Sequence, residues 1–381
     1  MTTASARAAR WARSAVLLVL ASAAAAGPAR AAEPIRVAIL GDARSVEVGG
    51  GPTKISDLAG QPVSVDTPTW LRVVPKRGGV EVRGYGAAPA VRLSPVGSGP
   101  LRVNGREYPG ALEIAPGSGE GLVVINEVPL EDYVAGAVKA EAGDLMPAEM
   151  LKAQAIVART YAAYHQRLNQ GKLYDLVASN ANQQYLGRVG PGSPSRTAVE
   201  ETRGQVLFWD GRLFPAFYHT DSGGHTEDPR AVFSAKDMPA LQAVRVDFPS
   251  ASPHHQWQLD MSLADIGALL QKGGISIGRV VGFDVLERSA SLRVAQIAVR
   301  GVAGSVVLRG NDLRRLLGYD TLKSTLFAVD IVGSIARFVG RGYGHGVGLD
   351  QAAARTMAER GYTAAQIVAY YYPGARLGSL R

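Results

Sequence analysis

Apolar positions after Pro129 follow a helical pattern that one acidic residue interrupts. They recur three and four residues apart, which predicts an amphipathic helix with its apolar stripe toward the interior. The next position of that stripe is Glu141, near the C-terminal end of the helix, where the helix dipole disfavours negative charge. Burial and the dipole both favour the uncharged carboxyl and raise its expected pKa. The stripe consists of Leu130, Tyr133, Val134, Ala137 and Val138.

Glu141 has two interpretations. A carboxyl that is still protonated near neutral pH can act as a general acid toward a leaving-group oxygen. Alternatively, the residue lies at the edge of the core and a buried lysine or arginine neutralises it. We expect the first. Its neighbours Glu131 and Asp132 lie in the first helical turn, where a carboxylate is stabilising without any catalytic role.

A second helix is predicted from Pro147, which suits the first helical position, to about Leu168. This segment is almost entirely apolar, so we expect it to be buried on most sides. Its polar exceptions fall within one arc, which is either a solvated edge or the polar wall of a cleft beside Glu141. In the second case Lys152 and Arg159 would bind hydroxyl or carboxylate groups. The arc holds Glu149, Lys152, Arg159 and Thr160, and Gln154 points the opposite way.

The remaining pattern predicts an α+β fold. Residues 33–125 carry short alternating or apolar runs separated by Gly, Pro and Ser, which is typical of strands and turns. From residue 127 onward, helical and strand-like segments mix. We therefore predict a β-rich N-terminal domain at residues 32–115, a structural or packing module without a functional cluster. A mixed α+β catalytic domain at residues 116–381 would contain a β/α insertion around residues 240–330.

Residues 1–31 have the pattern of a secretory signal peptide. Arg7, Arg10 and Arg13 precede a short apolar run, and an A-x-A cleavage site ends at Ala31. An uncleaved membrane anchor is the alternative, but the run is short for a bilayer span and no other stretch is long enough. We expect the mature protein to be exported to the periplasm or cell-wall space, with no membrane span after signal cleavage.

Composition limits the partners. The 381-residue chain has a formal net charge of +8, and removing four arginines with residues 1–31 leaves about +4. This mild excess is either a solubility charge or an attraction toward an anionic exterior such as cell wall. No basic run or aromatic-basic ladder points to nucleic acid. The absence of cysteine excludes structural disulfides and lipoprotein anchoring.

A second polar cluster lies in "FYHTDSGGHTED". His219 and His225 flank a Ser-Gly-Gly turn, and the plainest interpretation is a turn with polar rims. A metal site would need three or four converging ligands, for which His345 is the third candidate, but we predict neither metal nor cofactor. A serine hydrolase centred on Ser222 would need a G-x-S-x-G elbow, which this segment lacks.

The third cluster is "GRGYGHGVGLDQ", whose alternating glycines permit close approach to another chain or a ligand. It lacks the Gly-Lys-Ser/Thr ending of a phosphate loop. We interpret Tyr343 and His345 as hydrogen-bonding groups at a site. The tyrosine run at residues 370–372 is either core or a stacking surface for sugar rings. Thr363 and Gln366 form a capping-box pattern that begins the last helix.

Three segments in this order, "EVPLEDYVAGAVKAE", "FYHTDSGGHTED" and "GRGYGHGVGLDQ", resemble the stage II sporulation protein D family, which includes LytB-type amidase enhancers. The resemblance extends over roughly residues 100–377. It implies a lytic transglycosylase that acts on peptidoglycan glycan strands and prefers strands stripped of stem peptides. The family's catalytic acid corresponds to Glu141, the residue that the helical pattern also singles out.

The implied reaction needs a single carboxyl group. Glu141 would protonate the glycosidic oxygen between N-acetylmuramic acid and N-acetylglucosamine, and its carboxylate would then accept the proton of the muramic C6 hydroxyl. Attack of that hydroxyl on C1 gives a 1,6-anhydro end. Ordinary hydrolysis would need a second carboxylate.

The pattern and the resemblance together give a set of predicted substrate-binding residues on the second helix, the Ser-Gly-Gly turn and the glycine strip. They are Lys152, Gln154, Arg159, Tyr161, His219, Ser222, Gly223, Gly224, His225, Thr226, Tyr343, His345 and Gln351.

The sequence departs from the family in two places, and rival functions remain. Some members bind zinc through cysteines near the Ser-Gly-Gly turn, which this chain lacks, and Asp350 stands where a serine is common. A role in sporulation does not follow from the resemblance. The alternatives to catalysis are a non-catalytic, glycan-binding enhancer of a cell-wall amidase and an exported scaffold with a relic site.

Overall fold

Short alternating runs in the first part of the chain fold as β-strands. The computed structural model describes residues 33–233, 238–250 and 252–380, so the predicted signal peptide at residues 1–31 lies outside the described residues. Inward apolar side chains alternate with outward polar ones, as in half-buried antiparallel strands. The strands are β1 (Ile35–Ala43), β2 (Val46–Gly49), β3 (Thr53–Ser56), β4 (Pro62–Ser64), β5 (Trp70–Lys76), β6 (Gly79–Val82), β7 (Gly86–Ala88), β8 (Val91–Pro95), β9 (Leu101–Val103), β10 (Arg106–Tyr108), β11 (Ala111–Pro116) and β12 (Leu122–Val128).

Two sheets contain these strands. One has the order β13-β1-β12-β11-β8-β3-β4, where β13 is Leu176–Val177, and the other has the order β10-β9-β2-β5-β6-β7. The predicted domain boundary between residues 115 and 116 falls inside β11. Strands from both sides of it pair within one sheet, since β12 pairs with β1 and β11, and β13 pairs with β1 in parallel. The β-rich part and the segment that follows it are therefore joined by backbone hydrogen bonds.

The two helices predicted after the β-rich part are confirmed as α1 (Leu130–Glu141) and α2 (Ala148–Leu168). Pro147 lies one residue before α2 rather than at its first position. The apolar stripe of α1 and one face of α2 pack into the same hydrophobic cluster as Ile35 and Val37 of β1. Glu141 is the last residue of α1, as the pattern predicts.

The downstream segments alternate helices and short strands, which together with the first part gives the predicted α+β fold with a β-rich N-terminal part. A 3-10 turn, Pro239–Leu241, also lies among them. The elements are α3 (Pro194–Glu201), β14 (Gln205–Phe208), β15 (Tyr218–His219), α4 (Pro229–Phe233), β16 (Gln256–Ser262), α5 (Leu263–Lys272), β17 (Val280–Arg288), β18 (Val294–Gly301), β19 (Gly304–Arg309), α6 (Gly310–Leu317), β20 (Phe327–Val332), β21 (Ile335–Arg341), β22 (Leu349–Asp350), α7 (Gln351–Glu359), α8 (Ala364–Tyr371) and β23 (Arg376–Ser379).

Helix α2 is covered on a second face as well. Its residues Met150 and Ile156 belong to another hydrophobic cluster, to which α7 and α8 also contribute. Tyr371 and Tyr372 are buried in that cluster, so at these two positions the tyrosine run is core. The capping box predicted for the last helix is present at Thr363. No helix in the described ranges combines the length and apolarity needed to cross a bilayer.

The insertion has its own core. Side chains from β16, α5, β18 and β21 form a third hydrophobic cluster, with Trp257, Ile297 and Phe338 among its members. We predicted an insertion around residues 240–330, but this cluster extends beyond residue 330. The reason is that β21 pairs with both β16 and β20, which closes a three-stranded sheet.

Candidate active site

The side chain of Glu141 faces a cleft of about 490 Å³. The backbone amide of Gln184 donates a hydrogen bond to its Oε1 at 2.6 Å. Burial raises the pKa of Glu141 above its ordinary value, and the Gln184 amide and the Tyr218 hydroxyl oppose that rise. Tyr218 is half-buried, and its hydroxyl is shielded from solvent. Glu141 thus holds its proton more tightly than an ordinary glutamate does.

The alternative interpretation of Glu141, neutralisation by a buried cation, finds no support. No lysine or arginine of the described ranges forms an ion pair with it, and the nearest basic residue in its helix, Lys139, pairs with Asp144 at 2.9 Å. The carboxyl is therefore held by a backbone amide, which leaves it uncompensated by a full positive charge.

The loop that carries Gln184 packs closely on α1. Tyr133 of α1 donates its hydroxyl hydrogen to Oε1 of Gln183 at 3.0 Å, and Tyr185 donates to Oδ1 of Asn126 at 2.9 Å. A Cβ at Gly136 would lie 2.5 Å from Cε2 of Tyr185, so only glycine permits this approach. The position of the Gln184 amide therefore depends on the contact between this loop and the helix.

Three parts of the chain line the cleft. One part consists of Glu141, helix α2 and the loop that follows α2. Another consists of β15 and the glycine strip, residues 340–348. The insertion is the remaining part. The lining includes Glu141, Tyr161, Asn180, Asn182, Phe217, Tyr218, His219, Thr220, Phe233, Asn311, Arg314, Tyr319, Asp320, Tyr343, Gly344, His345 and Gln351. The insertion is therefore part of the candidate site.

Two neutral histidines lie side by side in the cleft, with ring centroids 5.6 Å apart. His219 Nδ1 lies 3.1 Å from the Val347 carbonyl, which can only accept, so Nδ1 carries the proton and buried Nε2 is left with a free lone pair. The Val347 amide donates to Nδ1 of His345 at 3.0 Å, so the proton of that ring is on Nε2. Burial lowers both pKa values, for His345 to about 3. His219 thus keeps an unpaired acceptor, Nε2, whereas the His345 ring also bonds to the Tyr218 backbone carbonyl.

The glycine strip allows β15 and β22 to pair at short range. A Cβ at Gly348 would lie 2.0 Å from the Phe217 carbonyl oxygen, and one at Gly342 would lie 2.7 Å from that of Asp221. Both glycines also have positive φ angles, +74° and +78°. The close backbone approach predicted for this strip is confirmed, and it brings His345 beside His219.

Six of the predicted catalytic and binding residues meet in the cleft: Glu141, Tyr161, His219, Tyr343, His345 and Gln351. Asn182 donates to the Tyr161 hydroxyl at 3.0 Å. Gln154 is fully buried behind the lining, where its Oε1 accepts a hydrogen bond from Nε2 of Gln351 at 3.4 Å. Its own Nε2 has no partner in the described ranges.

The Ser-Gly-Gly turn lies outside the cleft lining. Ser222 is fully buried and its amide donates to Asp350 at 2.8 Å, while the Gly223 amide donates to Asp221 at 2.7 Å. The remaining predicted members also make contacts within the protein: the Gly224 amide donates to Ser222 Oγ, His225 Nδ1 lies 2.7 Å from the Thr226 carbonyl oxygen, and Thr226 Oγ1 accepts from the Val244 amide. This geometry fits the interpretation as a turn. Across the described residues, no three His, Asp or Glu side chains come together as candidate metal ligands.

The polar arc of α2 does not form a wall of the cleft: Arg159 and Thr160 are buried, and Glu149 and Lys152 are half-buried. Arg159 has 0% exposure and pairs with Glu131 at 2.7 Å, and it also donates to the Val199 and Gln205 carbonyl oxygens. Lys152 pairs with two acidic side chains, Glu149 at 2.8 Å and Glu201 at 2.7 Å. The structure does not bring either residue to the cleft, because the arc packs against α3 and β14.

Several residues that line the cleft were not predicted from the sequence. Tyr218 is adjacent to His219 in a motif that we singled out, so its position was a usable signal. Arg314 and Asp320 come from the insertion, and no motif marked them.

Asp350, to which we assigned no role, is buried as the N-cap of α7. Burial and the nearby Asp221 charge raise its pKa to about 6.

Two family models match this chain. A family model described as "Stage II sporulation protein" matches residues 118–209, which contain α1, Glu141 and Gln184. A second model, "Domain of unknown function (DUF8618)", matches residues 231–348, which contain the insertion and His345.

Relatives match over most of the chain. An uncharacterised protein of Brachyspira hyodysenteriae (strain ATCC 49526 / WA1) is 30% identical over 278 residues, 71% of this chain and 72% of the relative. The stage II sporulation protein D of Bacillus subtilis (strain 168) is 27% identical over 66% of this chain and 75% of its own length. The chain belongs to the stage II sporulation protein D family. The amidase enhancer of Bacillus subtilis (strain 168) is 27% identical, over 61% of this chain and 38% of that relative.

Proposed function

We propose that this chain is an exported peptidoglycan lytic transglycosylase, which cleaves the bond between N-acetylmuramic acid and N-acetylglucosamine and leaves 1,6-anhydro ends. Membership of the family and similarity to an amidase enhancer support a role at the cell wall. The signal-peptide pattern of residues 1–31 supports export to the periplasm or cell-wall space.

One observation carries the catalytic part of the proposal. Glu141 lies in a cleft large enough for sugar rings, burial raises its pKa, and no described cation pairs with it. A carboxyl that stays protonated toward neutral pH is the group that a glycosidic leaving oxygen needs. The Gln184 amide and the Tyr218 hydroxyl would then stabilise the carboxylate that remains after proton transfer.

The reaction balances with this one group. Glu141 gives its proton to the glycosidic oxygen as the bond from that oxygen to muramic C1 breaks. The carboxylate then accepts the proton of the C6 hydroxyl as O6 bonds to C1. Glu141 is protonated again at the end, and no water is consumed.

Asp320 is the other carboxylate that lines the cleft, and it bears on the choice between lyase and hydrolase chemistry. Its Oδ1 accepts a hydrogen bond from the Tyr343 hydroxyl at 2.6 Å, and it belongs to the insertion rather than to the Glu141 side. A glycoside hydrolase generally needs a second carboxylate as base or nucleophile. Asp320→Asn therefore tests whether such a group takes part.

The test is an end-group analysis of the products. The purified protein and its Glu141→Gln and Asp320→Asn variants are incubated with peptide-free glycan strands, and the fragments are identified by mass spectrometry. We expect anhydro ends from the parent and the Asp320 variant, and none from Glu141→Gln. If the parent produced reducing ends and Asp320→Asn produced none, the protein would be a hydrolase rather than a lytic transglycosylase.

The second candidate is a non-catalytic protein that binds glycan and stimulates a cell-wall amidase, which the similarity to an amidase enhancer favours. In that case the parent releases no fragments, yet strands co-sediment with it, and a cell-wall amidase releases stem peptides faster in its presence. Glu141→Gln would leave that stimulation unchanged.

A further inference from the structure

Three arginine side chains are buried in the described part of the chain, and they differ in how their charge is compensated. Arg159 pairs with Glu131. Arg293 donates to the Ser222 and His225 carbonyl oxygens beneath the Ser-Gly-Gly turn, away from the cleft lining. Arg314, 5% exposed, is the member of this set that lines the cleft.

The contacts of Arg314 leave part of its guanidinium without a partner. Nε donates to the Leu322 carbonyl at 2.7 Å and Nη2 to the Tyr319 carbonyl at 3.0 Å, while Nη1 has no acceptor among the described residues. The Tyr319 ring lies 4.9 Å from Cζ. These contacts fix the plane of the guanidinium from the side of the insertion.

No carboxylate of the described residues forms an ion pair with Arg314. Asp312, the acidic residue nearest in sequence, pairs with Arg309 and Arg315 instead. Asp320 accepts a hydrogen bond from the Tyr343 hydroxyl and attracts the Arg314 charge without forming an ion pair with it. Burial lowers the pKa of Arg314 to about 10, so the side chain remains charged at neutral pH. A buried cation without an acidic partner is costly unless a ligand supplies the negative charge.

We propose that Arg314 binds the free lactyl carboxylate of a peptide-free muramic acid residue and so makes the cleft selective for stripped glycan strands. This inference rests on the proposed function. The lactyl carboxylate is the anionic group of such a strand, and a stem peptide converts it into a neutral amide. A guanidinium with an open N–H matches a carboxylate and gains much less from an amide oxygen.

The experiment measures strand binding in the Glu141→Gln chain, which prevents turnover. Peptide-free strands with free lactyl carboxylates are compared with the same strands after conversion of the carboxylates to primary amides. We expect about ten- to a hundredfold weaker binding of the amidated strands, the range of a hydrogen bond to a charged group. Adding Arg314→Gln should weaken binding of the free-acid strands by the same factor and bring the ratio of the two dissociation constants near one.

The neighbouring Arg315 gives a matched control. It lies on the same helix, is more than half exposed and does not line the cleft, so Arg315→Gln should keep the full ratio. Because Arg314→Gln loses two contacts to backbone carbonyls, its melting temperature is checked. Arg314→Lys, which keeps the charge but not the planar fork, should give an intermediate ratio if the Gln variant does not fold.

Two results would overturn the inference: equal affinity of the Glu141→Gln chain for both kinds of strand, or full discrimination by a folded Arg314 variant. Failure of the proposed function is separate, because it appears as the absence of anhydro ends from the parent chain, whatever the binding ratio.

Discussion

The backbone amide of Gln184 donates to Glu141 at 2.6 Å, and the loop that presents it rests on the bare Cα of Gly136. The carboxyl ends helix α1, whereas its hydrogen-bond donor lies 43 residues further along the chain. The geometry of the candidate acid is thus set by tertiary packing, which makes it sensitive to changes that do not touch the cleft.

Gly136→Ala tests this dependence. The added methyl group would meet the Tyr185 ring, so we expect a loss of about 1–3 kcal/mol in the free energy of unfolding. Displacement of the Gln184 amide should lower the cleavage rate by about tenfold or more at saturating substrate. Gly190→Ala, in the same loop region but in open space, is the control and should change neither quantity. Normal activity in Gly136→Ala would show that the loop does not position Glu141.

Tyr218→Phe should move the titration of Glu141. Because the Tyr218 hydroxyl lowers the pKa of Glu141, its removal raises that pKa further. The pH at which cleavage falls by half should therefore increase, while the maximal rate decreases because the carboxylate loses a donor. Rates are measured across pH with peptide-free strands, and Tyr370→Phe, outside the cleft lining, is the control. An unshifted profile would contradict a contact between the two side chains in the working enzyme.

The pair of Arg159 and Glu131 is predicted to support the fold rather than substrate binding. Arg159→Met leaves the Glu131 carboxylate without its partner, so we expect a loss of about 3–5 kcal/mol in urea unfolding. Arg355→Met, which breaks an exposed pair with Glu359, should cost less than about 0.5 kcal/mol. The folded Arg159 variant should bind glycan strands as the parent does. If the variant bound glycan strands more weakly at unchanged stability, Arg159 would contact the glycan, as the family resemblance implies.

Asp350 should make stability depend on pH. Its folded-state pKa of about 6 is above the ordinary 3.8, so the folded chain holds this proton more tightly than the unfolded chain. This tighter proton binding adds to the free energy of unfolding. Its contribution is complete below about pH 4 and is lost as the pH rises through about 6. Relative to Asp350→Asn, the parent should lose roughly 2–3 kcal/mol of unfolding free energy between pH 4 and pH 7. The histidines are common to both proteins and cancel in this difference. A pH-independent difference would mean that Asp350 is ionised throughout.

Local pattern predicts much of this fold. The spacing that defines α1 also places Glu141 at its end, and the capping box at Thr363 begins α8 as expected. Alternating glycines predict a close backbone approach, which Gly348 makes. These features depend on neighbours in sequence or on a residue's own steric limits, so a single chain carries the information.

The polar arc of α2 shows where that information ends. Helical periodicity gives the angle of Arg159 around the helix but does not say which element covers that angle. Here α3 and β14 cover it, and an ion pair with Glu131 replaces the expected solvent or substrate. The contribution of Arg314 was equally hidden, because the insertion that carries it reaches the cleft only through the fold.

The most direct test of the central claim is the rate of anhydro-product formation between pH 4.5 and 7.5. If Glu141 acts as a general acid with a raised pKa, the rate is highest at the acidic end and falls through a midpoint above the ordinary glutamate value of 4.5. His345, whose pKa burial lowers to about 3, should add no step in this range, and burial also lowers the pKa of His219. Binding to the Glu141→Gln chain, measured at the same pH values, separates titration of the acid from loss of substrate. A flat rate over the whole range would contradict the account.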